Sequence, residues 1–183
     1  MEEKKLYEES ILLIGPSGAG KSTVAEELKK ITGMPRLCLD YVANNDRKLG
    51  VAKNFNSSEE YNLYMLKKVL SIAKKEGKPG IVDFGAGHSI YDNTIIFNDV
   101  KKILKKFKNI VLLLPSVDVN KSLEIMSQRS TGDISSNKKF LISHCNRELA
   151  TLVEYENGRK PREIAESIIN RIKARDIEDV IRN

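Results

Sequence analysis

The sequence predicts an α/β fold in three layers, with a five-stranded parallel sheet covered by helices on both faces. Across 183 residues, short apolar runs alternate five times with longer segments whose apolar residues recur at helical spacing. That alternation is typical of parallel strands joined by helices. The run Asn109–Pro115 is apolar throughout its interior, as expected for a strand covered on both sides. Such sheets bind ligands at the carboxyl ends of their strands.

A glycine-rich loop lies between the first strand and the first helix. Ser10–Ile14 is predicted to be a strand and Thr23–Lys30 a helix, and the residues between them fit G-x-x-x-x-G-K-[ST], the phosphate-binding loop. Its three glycines are expected to allow positive φ and a close approach of the backbone to an anion, which the helix N-terminus also favours. A plain glycine turn is the alternative, but all eight positions and both flanks match the motif. The predicted nucleotide-binding residues are Gly15, Pro16, Ser17, Gly18, Ala19, Gly20, Lys21, Ser22 and Thr23.

Within this loop, Lys21 is expected to reach the β- and γ-phosphates of a nucleoside triphosphate, and Ser22 to be a ligand of Mg²⁺. Motif and alternation together predict a P-loop NTPase fold. The sequence does not distinguish ATP from GTP.

The remaining elements follow in order. Thr32–Pro35 ends the first helix with a glycine and a proline, Arg36–Asp40 is a second strand, and the polar stretch Tyr41–Asn56 is predicted to be irregular. Ser57 is the predicted N-cap of a helix that continues to Gly77. The later elements are strand Ile81–Phe84, helix Asp92–Lys106, strand Asn109–Pro115, helix Asp118–Arg129, loop Ser130–Asn137, helix Lys138–Leu149, strand Ala150–Tyr155 and a helix that begins at Pro161. Because no repeat or linker interrupts this order, residues 1–183 are predicted to form one domain with a core at about 10–175.

Composition and charge narrow the function classes. No apolar run approaches the roughly 20 residues that span a bilayer, and the first nine residues lack the apolar region of a signal peptide. Cys38 and Cys145 have neither metal-ligand spacing nor a disulfide pattern, which favours a cytoplasmic protein. The net charge of +6 comes largely from lysine doublets on predicted helices. Without interleaved aromatic residues these indicate solvated helix faces rather than a nucleic-acid surface.

Polar side chains end two of the predicted strands. Asp40 and Asp83 close short strands near the phosphate loop, and Asp83 has the position of the carboxylate that holds a metal through water in such sites. A helix cap or a surface carboxylate is the alternative for either residue. His88 follows a glycine turn, where it either contacts substrate or is simply exposed.

Several segments resemble one family. Thr32–Asp40 resembles the segment that ends in phenylalanine-x-Asp-x-Asp, Gly85–Gly87 resembles a triple glycine, Arg129–Gly132 resembles the start of a lid loop, and Arg159–Pro161 resembles the loop before the last helix. From about Ile11 to Lys173 the chain is similar to the shikimate kinase-like small-molecule kinases, relatives of adenylate and gluconate kinases. The resemblance implies that Lys21, Asp40 and Asp83 are catalytic, that Asp40 orients the acceptor hydroxyl or acts as its base, and that Arg129 and Pro161 enclose adenine. It also implies ATP and Mg²⁺ as cofactors, an acceptor-binding segment at about 41–77 and a lid at about 130–138.

The chain departs from that family where the acceptor is recognised. Cys38 replaces the first Asp, and the arginines expected to bind the shikimate carboxylate fall near Tyr64 and Ile142. The second lid arginine is replaced around Ser135–Asn137, leaving Lys138 or Lys139 to supply charge. Because a carboxylate substrate needs bidentate arginine recognition, shikimate is a poor candidate. The candidate acceptor-binding residues are Asp40, Arg47, Tyr64, Gly85, Gly87 and His88.

The leading hypothesis is therefore an ATP- and Mg²⁺-dependent kinase that phosphorylates a small hydroxylated acceptor of unknown identity. A nucleoside monophosphate kinase is the alternative within the same class, although Arg47 is the single arginine in the acceptor segment. An ATP-dependent switch or nucleic-acid-associated NTPase is the alternative of another class. We expect a monomer or weak dimer that binds no membrane and no nucleic acid.

Overall fold

Five short strands form one sheet in the computed structural model, which describes residues 2–85, 87–129 and 134–182. The strands are β1 (Ile11–Ile14), β2 (Arg36–Cys38), β3 (Ile81–Asp83), β4 (Asn109–Leu114) and β5 (Leu152–Tyr155). Their order across the sheet is β2-β3-β1-β4-β5, and every pairing between neighbours is parallel. The prediction of a five-stranded parallel sheet in a P-loop NTPase fold is confirmed.

Helices cover both faces of this sheet. They are α1 (Glu2–Glu9), α2 (Lys21–Thr32), α3 (Leu39–Lys48), α4 (Ser58–Glu76), α5 (Thr94–Leu104), α6 (Val119–Arg129), α7 (Ile134–Ile142), α8 (His144–Leu149) and α9 (Pro161–Arg182), with a short 3₁₀ helix at Val51–Asn54. Among the described residues, no helix combines the length and apolar character needed to cross a membrane.

The central strand divides the core into two halves. Leu12 and Ile14 point to one face, where they pack with α3 to α8, whereas Ile11 and Leu13 point to the other, where they pack with α2 and α9. Successive side chains of a strand alternate between faces, so β1 contributes to both cores, and all four of its residues are buried. This arrangement fixes β1 in the middle of three layers and places the loop that follows it at the centre of the sheet edge.

The segment after β2 is more ordered than its polar composition suggests. Residues Tyr41–Asn56 were expected to be irregular, but most of them lie in α3 and in the 3₁₀ helix. Leu39, Ala43 and Asp46 recur at helical spacing and are buried, so tertiary packing outweighs the weak helix propensity of the polar residues between them. Asp40 consequently lies in the first turn of α3 instead of at the end of a strand.

The prediction for the lid and the following helix also needs correction. Residues 130–133 of the expected Ser130–Asn137 loop lie outside the described residues, whereas 134–137 belong to α7 rather than to a loop. The helix expected over Lys138–Leu149 is divided into α7 and α8, because Ser143 takes an extended backbone conformation (ψ 127°) that interrupts the helix. By contrast, Ser57 caps α4 as predicted, accepting a hydrogen bond from the Glu60 amide.

Candidate active site

The phosphate loop connects β1 to α2 at the carboxyl edge of the sheet. Gly18 and Gly20 have φ values of 80° and 77°, a region that favours glycine. Gly15 does not adopt a positive φ, contrary to the sequence-based expectation. A Cβ at Gly15 would instead lie 2.5 Å from the backbone oxygen of Leu113. Gly15 is therefore required because β4 passes too close for any side chain.

Lys21 begins α2 and is held inside the loop. Its buried Nζ donates hydrogen bonds of 2.9 Å to the carbonyl oxygens of Gly15 and Pro16. Burial lowers the pKa of Lys21, while Asp83 and Asp40 act in the opposite direction. The two carboxylates that influence this amine are the two that the sequence placed at strand ends. Lys21 thus lies within electrostatic range of both carboxylates.

Asp83 ends β3 and contacts the phosphate loop directly. Its carboxylate is buried, and Oδ2 accepts a hydrogen bond of 2.8 Å from the Ser22 hydroxyl. The same oxygen accepts a hydrogen bond of 2.5 Å from Nη2 of Arg36, whose Nη1 donates to Glu26 at 2.6 Å. Burial alone would lower the pKa of Arg36, but the hydrogen bonds to both carboxylates raise it overall. Sequence reasoning did not identify Arg36.

On the acceptor side, Asp40, Gly85 and His88 meet at one point. A Cβ at Gly85 would lie 2.0 Å from Asp40 Oδ1 and 2.8 Å from His88 Cδ2. His88 is 4% exposed, and burial, with smaller effects of Arg47 and Lys21, lowers its pKa to about 4. The imidazole is therefore neutral at pH 7, and its Nδ1 has no hydrogen-bond partner among the described residues.

Hydrogen bonds from neighbouring elements hold the loop that carries these residues. Asn62 on α4 donates to the Gly87 carbonyl at 2.9 Å, and the Tyr91 hydroxyl donates to the His88 carbonyl at 2.8 Å. Glu59 accepts hydrogen bonds from the amides of Asp92 and Asn93. Hydrogen bonds to α4 therefore hold residues 87–93, in the loop between β3 and α5.

The other two acceptor candidates lie on α3 and α4. Arg47 is exposed on α3, and its Nη1 donates one long hydrogen bond, of 3.5 Å, to Oδ1 of Asn44. Tyr64 belongs to an aromatic cluster, with ring centroids 5.0 Å from Phe55 and 6.3 Å from Tyr61. Tyr64 therefore contributes to the packing of α4, whereas Arg47 has its guanidinium available to a ligand.

Of the two predicted adenine residues, Arg129 contacts the segment that follows β5, and Pro161 begins α9. Arg129 at the end of α6 donates two hydrogen bonds, of 2.5 and 2.8 Å, to Glu156, which follows β5. These bonds raise the pKa of Arg129 and hold its planar guanidinium beside the loop that leads to Pro161, the first residue of α9. Glu156 was not identified from the sequence. The described part of the predicted lid begins at Ile134.

A phosphate loop after the central strand of a five-stranded parallel sheet, with an aspartate at the end of the neighbouring strand, defines a shikimate kinase-like P-loop kinase. Residues 11–111 match the AAA domain family. Since the match covers more than half of the chain, the protein belongs to that family.

Sequence relatives include a kinase of this class and a nucleotide-binding protein of another kind. A shikimate kinase from Flavobacterium johnsoniae is 28% identical over 142 residues, covering 74% of this chain and 80% of that protein. A guanine nucleotide-binding protein alpha-10 subunit from Caenorhabditis briggsae is 32% identical over 83 residues, which is 43% of this chain, and the match spans 23% of the subunit.

Two solved structures share the fold. The shikimate kinase from Acinetobacter baumannii in complex with shikimate has a TM-score of 0.68 at 20% identity, covering 96% of this chain and 98% of that one. A gluconokinase from Sinorhizobium meliloti has a TM-score of 0.64 at 17% identity, covering 96% and 97%. At these identities the structures show the fold alone.

Proposed function

We propose that the protein is an ATP- and Mg²⁺-dependent phosphotransferase that transfers the γ-phosphoryl group to a small hydroxylated acceptor. One observation carries the proposal. Burial lowers the pKa of Lys21, and two carboxylates act against that effect. One is Asp83, which accepts a hydrogen bond from Ser22 of the phosphate loop, and the other is Asp40, which lies beside Gly85 and His88. The carboxylate beside the proposed nucleotide site and the one beside the proposed acceptor site thus both act on Lys21, which would contact the transferred phosphoryl group.

Each group has a role in the transfer. The loop amides and Lys21 bind the β- and γ-phosphates, and the Ser22 hydroxyl, with Asp83 behind it, provides the oxygen ligands that a hard cation prefers. When bound, Mg²⁺ neutralises the negative charge on the phosphates. The acceptor oxygen bonds to the γ-phosphorus as the bond to the bridging oxygen breaks, ADP leaves, and Asp40 accepts the hydroxyl proton. Positioning and charge stabilisation supply most of the rate acceleration.

Few positive charges lie near Asp40, so the site favours an acceptor with little negative charge over a dicarboxylate or a bisphosphate. Tyr64 and Ile142 stand where arginines were expected, and Tyr64 packs against other rings while Ile142 is exposed. On this side of the site, in the part of the chain that the structure describes, Arg47 is the cation that acts on His88 besides Lys21. A neutral imidazole and one guanidinium suit a polyol or a singly charged hydroxylated compound. The shikimate kinases and the gluconokinase among the relatives show that this fold serves more than one acceptor.

We further propose that the chain acts as one unit, with residues 41–77 forming the acceptor side. Arg129 and Pro161 would hold the adenine. The support for the adenine site is the Arg129–Glu156 pair, which orients a flat cation next to the loop before α9. Planar guanidinium groups stack well on aromatic rings.

The decisive experiment is incubation with ATP, Mg²⁺ and a pooled library of sugars, polyols, hydroxy acids, nucleosides and nucleoside monophosphates. Mass spectrometry is then used to find the compound that gains one phosphoryl group. Lys21→Met is the control, since it keeps the aliphatic stem and removes the charge. Product formed equally by the control, or no binding of ATP or GTP in calorimetry with Mg²⁺, would refute the proposal.

A further inference from the structure

Arg36 is a half-buried cation at the head of β2 that takes no part in the mechanism proposed above. Its side chain is 17% exposed, and its two terminal nitrogens bond two different carboxylates. Nη2 donates to Asp83 at 2.5 Å, and Nη1 donates to Glu26 on α2 at 2.6 Å. A guanidinium presents its donors in a fixed, planar arrangement, so Arg36 fixes the position of the Asp83 carboxylate relative to that of Glu26.

The oxygen that Arg36 bonds is the one that Ser22 uses. Asp83 Oδ2 accepts hydrogen bonds from both Arg36 Nη2 and the Ser22 hydroxyl. A single carboxylate oxygen therefore separates a permanent positive charge from the hydroxyl proposed to bind Mg²⁺. A guanidinium repels a divalent cation and withdraws the negative charge of Asp83 that would attract it.

We propose that Arg36 is a positioning residue that holds Asp83 in place in the absence of metal and weakens the affinity of the site for Mg²⁺. This inference rests on the proposed function, because it concerns the same metal and nucleotide. Arg36 neutralises Asp83, and Lys21 supplies a further positive charge to the phosphates. Nucleotide binding therefore depends less on Mg²⁺ than it would with an unpaired aspartate.

Glu26 allows the charge on Arg36 to be tuned without touching Asp83. Its side chain is 45% exposed, and it neutralises the second arm of the guanidinium. Removing the carboxylate leaves more of the positive charge of Arg36 directed at Asp83. Glu26→Gln should therefore change Mg²⁺ affinity in the direction opposite to the removal of Arg36. A purely structural brace between β2, α2 and β3 would instead lower stability in both variants and leave Mg²⁺ affinity unchanged.

The test is calorimetric titration of ADP at a series of free Mg²⁺ concentrations, which gives the Mg²⁺ concentration for half-maximal enhancement of ADP binding. This midpoint should fall about five- to tenfold in Arg36→Met, as expected for removing one charge near a divalent ion in a partly solvated site. It should rise about twofold in Glu26→Gln. Lys30→Met is the matched control, because Lys30 lies on α2 with Glu26, pairs with Glu27 and has a side chain that is 66% exposed. The Mg²⁺ midpoint of this variant should not change.

Arg36→Lys guards against loss of folding, since it keeps the charge and should stay within about twofold of the wild type. Thermal melts confirm that each variant is folded. Equal midpoints in the wild type, Arg36→Met and Glu26→Gln would overturn the inference, as would an equal shift in Lys30→Met. If Arg36→Met does not fold, the absence of a rise in Glu26→Gln overturns it. Failure of the wild type to bind ADP with Mg²⁺ present would instead overturn the proposed function.

Discussion

Substituting Gly85 by alanine should displace the proposed catalytic carboxylate while leaving the fold intact. The new Cβ would lie 2.0 Å from Asp40 Oδ1, whereas an ordinary contact begins near 3.4 Å. Oδ1 must therefore retreat by about 1.4 Å. Because Asp40 is exposed and its carboxylate ends a flexible side chain, the displacement is absorbed there and not by the backbone.

The expected magnitudes follow from this geometry. A misplacement of about 1 Å at a reacting group costs about 100-fold in rate, so turnover should fall by about that factor. His88 Cδ2, 2.8 Å from the new methyl group, must also shift, so overpacking should cost about 1–2 kcal/mol of stability. For a chain of this size that lowers the melting temperature by about 3–6 °C. The affinity for ATP should stay within about threefold of the wild type, because Gly85 lies on the acceptor side.

The assay measures the rate of phosphorylated product formed from the metabolite pool, with ATP binding measured in parallel by calorimetry. Gly87→Ala is the comparison in the same loop, since a Cβ at Gly87 meets no atom of the described residues within 4 Å. Because it leaves Asp40 in place, any loss of rate should be well below that of Gly85→Ala. A Gly85→Ala variant that keeps more than about half of the wild-type rate would show that the position of Asp40 does not matter. An equal loss in Gly87→Ala would trace the effect to the loop in general.

Three further predictions concern charge. The pKa of His88 is lowered to about 4, so below pH 6.5 the unfolded chain takes up a proton before the folded chain does. The free energy of unfolding should therefore fall by up to about 3 kcal/mol between pH 6.5 and 4, and the melting temperature of His88→Gln should depend less on pH over that range. Lys21→Met should abolish the thermal shift given by ATP, because the variant loses the charge proposed to bind the β- and γ-phosphates; a retained shift would contradict the role of Lys21. Arg129→Ala should weaken ATP binding about tenfold but leave tripolyphosphate binding unchanged in calorimetry, since Arg129 is proposed to contact the base; equal losses for both ligands would place Arg129 at the phosphates.

The fold was largely predictable because its signals are local. The apolar run of β4 and the alternation of strands and helices depend on neighbouring residues, and the loop motif carries its own geometry. The prediction of an irregular segment after β2 failed for the opposite reason. Asn44 and Asn45 are poor helix formers, but the burial of Leu39 and Ala43 against α4 and the sheet stabilises α3. That burial depends on residues that are distant in the sequence.

The site was predictable only in part for the same reason. Ser22 and Asp83 were found because one belongs to a motif and the other ends an apolar strand. Arg36 and Glu156 were missed because their partners lie 47 and 27 residues away, and no local spacing links them. A signal for Arg36 was nonetheless present. An arginine at the head of a strand in a sheet covered on both faces needs a carboxylate partner, and Asp83 ends the neighbouring strand.

The position of β1 has a consequence for synthesis of the protein. β1 leaves the ribosome before the other four strands of the sheet, yet it lies between β3 and β4, which begin at Ile81 and Asn109. At about 5–20 residues per second, the nascent chain waits about 5–20 s for the second partner. One edge of β1, with its four apolar residues, has no partner until β4 emerges, so chaperones that bind extended apolar segments should associate with the nascent chain. Truncated chains that end before β4 should not bind nucleotide, because their loop lacks the strand that packs against Gly15.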